Sequence, residues 1–151
     1  MKKAYWALTF IFFMGCTTAT IPSYLPDNQP YTMRFYADYE RTLETISQSL
    51  KDLGWKIEKT TNPIIYEQNL IETVNQQQAL IITEVRQTPM VVGTRYARLN
   101  VFLRSQENVS DVEIRYLTIT SLPLKSIRSY ENKGAVERIF GHIKESLAQS
   151  R

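Results

Sequence analysis

The sequence predicts an α+β domain: an antiparallel sheet of about four strands, with an N-terminal and a C-terminal helix packed on one of its faces. Three observations predict it. Apolar residues recur at helical spacing from Tyr36 to Leu53 and again from Asn132 to Ala148. Between these segments the pattern changes to the alternation and dense β-branched content of strands, at Trp55 to Thr60 and in three runs between Ala79 and Leu122. The strands form a block bracketed by helices, which favours an antiparallel sheet with its helices on one side. The predicted order is helix, strand, crossing, three strands, helix.

Each element has its own warrant. Tyr36, Tyr39, Leu43, Ile46, Leu50 and Leu53 are spaced 3, 4, 3, 4, 3, so they form one helical stripe. Gly54 follows directly and suits a left-handed helix stop. Trp55-Lys56-Ile57-Glu58-Lys59-Thr60 alternates apolar and polar residues and reads as the strand leaving that helix. Residues 61–78 are a crossing of unassigned conformation, with a turn at Asn62-Pro63. Ala79 to Arg86 is a second strand, and Pro89 and Gly93 mark a loop. Tyr96 to Arg104 is a third strand and Val109 to Leu122 a fourth, joined by a turn at Gln106 to Asn108.

A register follows for that hairpin. Pairing Leu103 with Val112, Val101 with Ile114 and Leu99 with Tyr116 places all six on one face. The same register sets Arg104 opposite Asp111 and Asn100 opposite Arg115 on a face expected to be exposed. A slip of one residue would reverse the faces. The last helix carries Val136, Ile139, Phe140, Ile143 and Leu147 on one stripe.

The 151 residues fit a single domain of ordinary size. Eighteen basic residues against 15 acidic ones give a net charge of +3. Lys2 and Lys3 lie in a segment expected to be removed, and without them the balance is 16 against 15. So small an excess is not the footprint of a nucleic-acid binder, and no nucleic-acid partner is expected. One cysteine and one histidine exclude an internal disulfide and a Cys/His zinc cluster. No metal or cofactor is expected.

Residues 1–15 have the parts of a secretory signal: Lys2 and Lys3, an apolar run from Ala4 to Met14, and a small residue, Gly15. The run is shorter than the roughly 20 residues needed to cross a bilayer. Phe13-Met14-Gly15-Cys16 resembles the lipobox of bacterial lipoproteins. That resemblance implies that Cys16 becomes the first mature residue and carries acyl chains, so one expected partner is the membrane itself. Thr17 is not the aspartate that favours inner-membrane retention in this family, which implies the outer membrane, at its periplasmic face. Residues 16–34 hold Pro22, Pro26 and Pro30 without apolar periodicity and are expected to be an acylated cysteine followed by an extended tether. The single α+β domain is expected over 35–151.

No catalytic constellation emerges. His142 lies roughly 120° from the centre of the last helix's apolar stripe, at the helix flank. Glu58 and Glu113 alternate with apolar residues and are expected to face solvent. Glu67 and Glu72 fall in the crossing, and Glu84 stands apart, so nothing pairs two carboxylates. The chain is therefore expected to be noncatalytic.

One basic feature stands out. Arg86, Arg95, Arg98, Arg104 and Arg115 fall on strands expected to be adjacent, with aromatic neighbours that include Phe102. Arginine forks suit phosphate and carboxylate groups, so Arg95, Arg98, Phe102, Arg104 and Arg115 form a candidate binding face. The favoured reading is plainer: a solvated face with cross-strand ion pairs. On that reading, changing Arg98, Arg104 and Arg115 to glutamine leaves stability within about 1–2 kcal/mol.

The helix ending in Leu53-Gly54-Trp55, the strands from Ala79 to Leu122 and the closing helix resemble the BamC-type helix-grip domains of envelope lipoproteins. The resemblance implies a noncatalytic accessory or binding module in envelope assembly or maintenance, with an envelope protein as partner. The alternative is a transport lipoprotein that binds lipid or lipopolysaccharide between helix and sheet. A continuous apolar cavity lined by Tyr39, Trp55 and Phe140 would favour lipid. A filled core with an exposed patch containing Tyr96 or Phe102 would favour protein.

Overall fold

The structure is a computed structural model that describes residues 20–26, 29–67 and 76–149. The signal segment and Cys16 lie outside the described residues, as does Glu72. The described chain is α+β, with two helices against one antiparallel sheet of seven strands. In chain order these are β1 (Tyr31–Phe35), α1 (Tyr39–Asp52), β2 (Ile57–Thr61), β3 (Gln77–Thr83), β4 (Arg86–Pro89), β5 (Thr94–Gln106), β6 (Val109–Leu122), β7 (Lys125–Ser129) and α2 (Lys133–Gln149).

The long hairpin β5–β6 is the spine. Its register sets Leu99 opposite Tyr116, Val101 opposite Ile114 and Leu103 opposite Val112, as the alternation requires. β1 and β7 share the outer edge of β6, and β3 and β4 share the outer edge of β5. β2 closes the far side against β3. Three of these strands exceed the four expected. β1 lies in the stretch read as tether, β4 carries Pro89 and reads as loop, and β7 has one apolar residue in five. Short edge strands take their stability from a longer neighbour, so they leave little pattern of their own.

Helix α1 begins at Tyr39, where Asp38 caps it by accepting a hydrogen bond from the Arg41 amide at 2.9 Å. Tyr36, counted in the stripe, precedes the helix and is exposed. The helix ends in a Schellman turn: the Gly54 amide donates to Lys51 O, the Trp55 amide donates to Leu50 O, and Gly54 has φ +76°. That turn folds Trp55 back towards Leu50, and both join the main core. Ile46 and Leu50 from α1 and Val136, Ile139 and Ile143 from α2 meet Leu99, Val101, Leu103, Val112 and Ile114 from the spine. Both helices thus cover one sheet face.

The second face differs from the expectation. It is covered too. Leu25, inside the segment read as an extended tether, is fully buried against Leu117 and Ile119. Tyr24 and Tyr66 lie over Leu80, Ile82 and Phe102, with the two tyrosine rings stacked at 5.0 Å. The Asn100 side chain holds this cover from beneath. Its Oδ1 accepts from the Leu25 amide at 2.6 Å and its Nδ2 donates to Ser23 O at 3.0 Å. The tether expectation is therefore corrected for Ser23 to Leu25 and for Tyr31 to Arg34, which belong to the folded domain. A segment without apolar periodicity can still be glued to a sheet by side chains spaced too far apart to show a period.

An arginine pocket at one end of the helix–sheet cleft

The second face takes up most of the expected binding face and neutralises it. Arg115, only 2% exposed, lies flat on the Phe102 ring, 3.9 Å from guanidinium carbon to ring centroid. Its Nε meets Glu113 Oε1 at 2.6 Å, and its Nη1 meets Glu67 Oε1 at 2.7 Å and the Tyr24 hydroxyl at 2.8 Å. Tyr24 in turn donates to Glu67. Arg104 stands nearby, 3.6 Å from Glu113 and 3.9 Å from Glu67. Arg98 is buried and bonds Glu58 at 2.7 Å. Phe102 is 1% exposed.

Arg98, Phe102, Arg104 and Arg115 therefore form no open docking face. Glu113 does not face solvent either, because it supplies one of the two carboxylates that hold Arg115. The expectation of a solvated face failed because strand alternation shows which residues share a side, and says nothing of what lands on that side from elsewhere in the chain. The charges in this cluster settle one another. Burial alone would raise the Glu67 pKa, but hydrogen bonds from Tyr24 and Arg115, with the Arg115 and Arg104 charges, hold it below its ordinary value. Arg115 is desolvated, yet its carboxylate partners keep its pKa raised.

Arg95 has a different fate. Odd-numbered residues of β5 face the helices, so Arg95 lies on the side opposite Arg98 and Arg104. In β4, Arg86 pairs with Ala97 and Thr88 with Arg95, which brings Arg86 to the same side. Arg138 projects from the second turn of α2, beside Ile139. Together with Trp55 and Tyr116 these three arginines line a pocket of about 210 Å³. The Arg86 guanidinium sits 5.5 Å from the Trp55 ring centroid, and Trp55 meets Tyr116 edge to face at 6.2 Å. Burial raises the Tyr116 pKa, while a hydrogen bond with Asn132 and the nearby Arg95 and Arg86 charges oppose the rise. Among the described residues none of the three arginines forms an ion pair. Besides its contact with Trp55, Arg86 makes a long 3.5 Å hydrogen bond to Leu53 O. All three residues are exposed.

Such a pocket suits an anion. Three forked donors line it beside an aromatic wall, and among the described residues no carboxylate does. The sequence places Arg86 and Arg95 in the basic cluster but does not pair them on the helix side, because it sets Arg86 at the end of the Ala79–Arg86 strand, whereas β3 ends at Thr83 and Arg86 opens a separate β4 paired with β5. Sequence reasoning missed Arg138 altogether. The only trace was an arginine adjacent to the apolar stripe of the last helix.

A larger cleft of about 470 Å³ lies at the other end of the domain, between β1 and the last turns of α2. Its walls are mostly apolar, and Arg41 there donates to Leu147 O at 2.8 Å. Among the described residues, Tyr39, Trp55 and Phe140 do not line a lipid cavity together. Trp55 and Phe140 are buried in the main core, and Tyr39 packs at its edge.

One arrangement resembles a hydrolytic triad. His142 Nδ1 lies 3.1 Å from Ser49 Oγ, and its Nε2 lies 3.9 Å from Asp52 Oδ2. Ser49 is fully buried between the helices, so its hydroxyl has no access to a substrate. The carboxylate is also beyond hydrogen-bond distance. These contacts pin α2 to α1. Among the described residues no three metal-ligating carboxylate, histidine or cysteine side chains gather at one point. No family model matches the chain, and no curated protein matches it.

Proposed function

We propose that this chain is a noncatalytic lipoprotein of the outer membrane, held at the periplasmic face by acyl chains on Cys16, and that its domain is a binding module for an anionic group of an envelope partner. The observation that carries the binding reading is the convergence of Arg86, Arg95 and Arg138 beside Trp55 and Tyr116 without a carboxylate partner among the described residues. Structural arginines in this same domain are paired, as Arg34, Arg98 and Arg115 are. Three left unpaired in one pocket are held ready for an outside anion. The lipobox resemblance supports the anchor, and the order of elements supports an accessory role of the helix-grip kind. Of the two partner classes, the filled core speaks against a lipid chain taken up between helix and sheet, so the pocket addresses a charged group at its mouth.

The test is binding of inorganic pyrophosphate to the purified protein, followed by titration calorimetry at several salt concentrations. Binding should weaken as salt rises. Changing Arg86, Arg95 and Arg138 together to glutamine should reduce affinity at least about tenfold, the equivalent of about 1.4 kcal/mol, with the melting temperature preserved. Equal binding by a folded triple variant would overturn the pocket assignment. The anchor is tested separately: Cys16→Ser should release the protein from membranes washed with salt and alkali, and continued sedimentation would refute acylation.

A further inference from the structure

Five of the eight large apolar side chains exposed among the described residues are gathered at one end, the others being Met33, Tyr36 and Ile65. Val91 and Leu124 are 104% and 94% exposed, and Val92, Ile127 and Met90 are also exposed. All five belong to two neighbouring hairpins, β4–β5 and β6–β7. Thr94 pairs with Ser121 and Leu122 with Lys125, so both turns project from the same end of the sheet. Gly93 fixes them side by side. Its φ is +94°, and a Cβ there would meet Ser121 O at 2.0 Å, so the β4–β5 turn lies directly on β6.

The charges on these two hairpins have one sign. Residues 86–97 and 118–129 contain Arg86, Arg95, Lys125 and Arg128 and no aspartate or glutamate. The turn at the opposite end of the spine carries Glu107, followed by Asp111. Apolar tips ringed by cations match the boundary between acyl chains and anionic headgroups.

The path of the chain points to the same end. Ile21 packs against Leu117 and Ile119, and Ile119 lies three residues before the end of β6, roughly 10 Å along the strand. Only five residue steps separate Ile21 from Cys16, a reach of at most about 18 Å. An acylated Cys16 would therefore hold the domain by this end, close to the bilayer.

We infer that the β4–β5 and β6–β7 tips dock on the bilayer surface: Val91, Val92 and Leu124 enter the interface, while Lys125, Arg128 and the arginine pocket meet anionic headgroups. The inference rests on the proposed Cys16 anchor for its distance argument. The domain then stands with the β5–β6 turn pointing away from the membrane, about 40 Å out along a 13-residue strand.

The test places an environment-sensitive fluorophore on Val91→Cys, on Leu124→Cys or, as control, on Glu107→Cys in the acylated full-length protein. Each is reconstituted into vesicles of phosphatidylethanolamine and phosphatidylglycerol with brominated acyl chains, and flotation of the same sample reports attachment. Emission from positions 91 and 124 should shift to the blue and be quenched by the brominated chains, while position 107 keeps its emission. Floating protein with equal emission at all three positions would overturn the docking and leave the anchor standing. Protein that does not float would overturn both.

Discussion

Changing Arg115 to methionine should lower the stability of the domain by about 3–5 kcal/mol, as denaturant unfolding would measure it. Methionine keeps much of the side chain's volume and its contact with Phe102, so the loss isolates the charge. Without the guanidinium, Glu67 and Glu113 are left half-buried and facing each other, with Arg104 too distant to replace two bonds of 2.6 and 2.7 Å. The penalty comes chiefly from those stranded carboxylates. Adding Glu67→Gln and Glu113→Gln to the Arg115→Met variant should therefore restore much of it, since removing a whole buried charged cluster is often close to neutral. A single-variant loss below about 1 kcal/mol would mean that the cluster is solvated. The pH dependence has a definite sign. Glu67 is held below its ordinary pKa in the folded state, so its contribution is complete above the unfolded value of about 4.3 and is lost as pH falls through the lower folded value. Glu67→Gln should flatten that acid limb of the stability curve.

The buried pairing of Arg98 and Arg115 argues against the expectation that the arginines of this face can be neutralised cheaply. The reason shows how far a sequence can be read. Wherever an element's partner was another long periodic element, the pattern carried the answer: β6 begins and ends at the predicted Val109 and Leu122, and the spine register follows from alternation alone. The helix stop at Gly54 was equally legible, because a left-handed residue after an apolar stripe has few other uses. What could not be read were contacts made by single residues of aperiodic segments. Leu25, Tyr24 and Tyr66 come from stretches with no repeat, and their landing places on Leu117, Arg115 and Phe102 depend on the whole sheet existing first. The candidate site suffered in the same way. Arg95 was singled out, but its partners Arg86 and Arg138 reach it through a four-residue strand and a helix flank, and neither leaves a periodic signal. The five-residue basic face was one cluster in sequence and two in space, because strand alternation sends Arg95 and Arg98 to opposite sides.

Leu25→Ala and Leu50→Ala should each cost about 2–5 kcal/mol, and the pair measures whether the two faces of the sheet share one cooperative core. Both side chains are fully buried, Leu50 under α1 on the helical face and Leu25 on the opposite face against Leu117 and Ile119. Leu50 belongs to a helix whose burial any reading of the stripe would give. Leu25 is the discriminating position. Were residues 16–34 a solvated tether, its truncation would change stability by no more than about 0.5 kcal/mol. In the structure it closes the second face, and its backbone is gripped by Asn100 and by Arg115, which donates to Leu25 O at 3.2 Å. Removing its side chain opens a cavity over β6 and loosens the cover that desolvates Arg115. Unfolding followed by both Trp fluorescence and far-ultraviolet circular dichroism should stay a single transition in each variant. A Leu25→Ala protein with unchanged stability would show that the cover comes away from the sheet. With the proposed anchor at Cys16, that outcome would also lengthen the free chain after it, and with it the distance over which the domain could stand from a membrane.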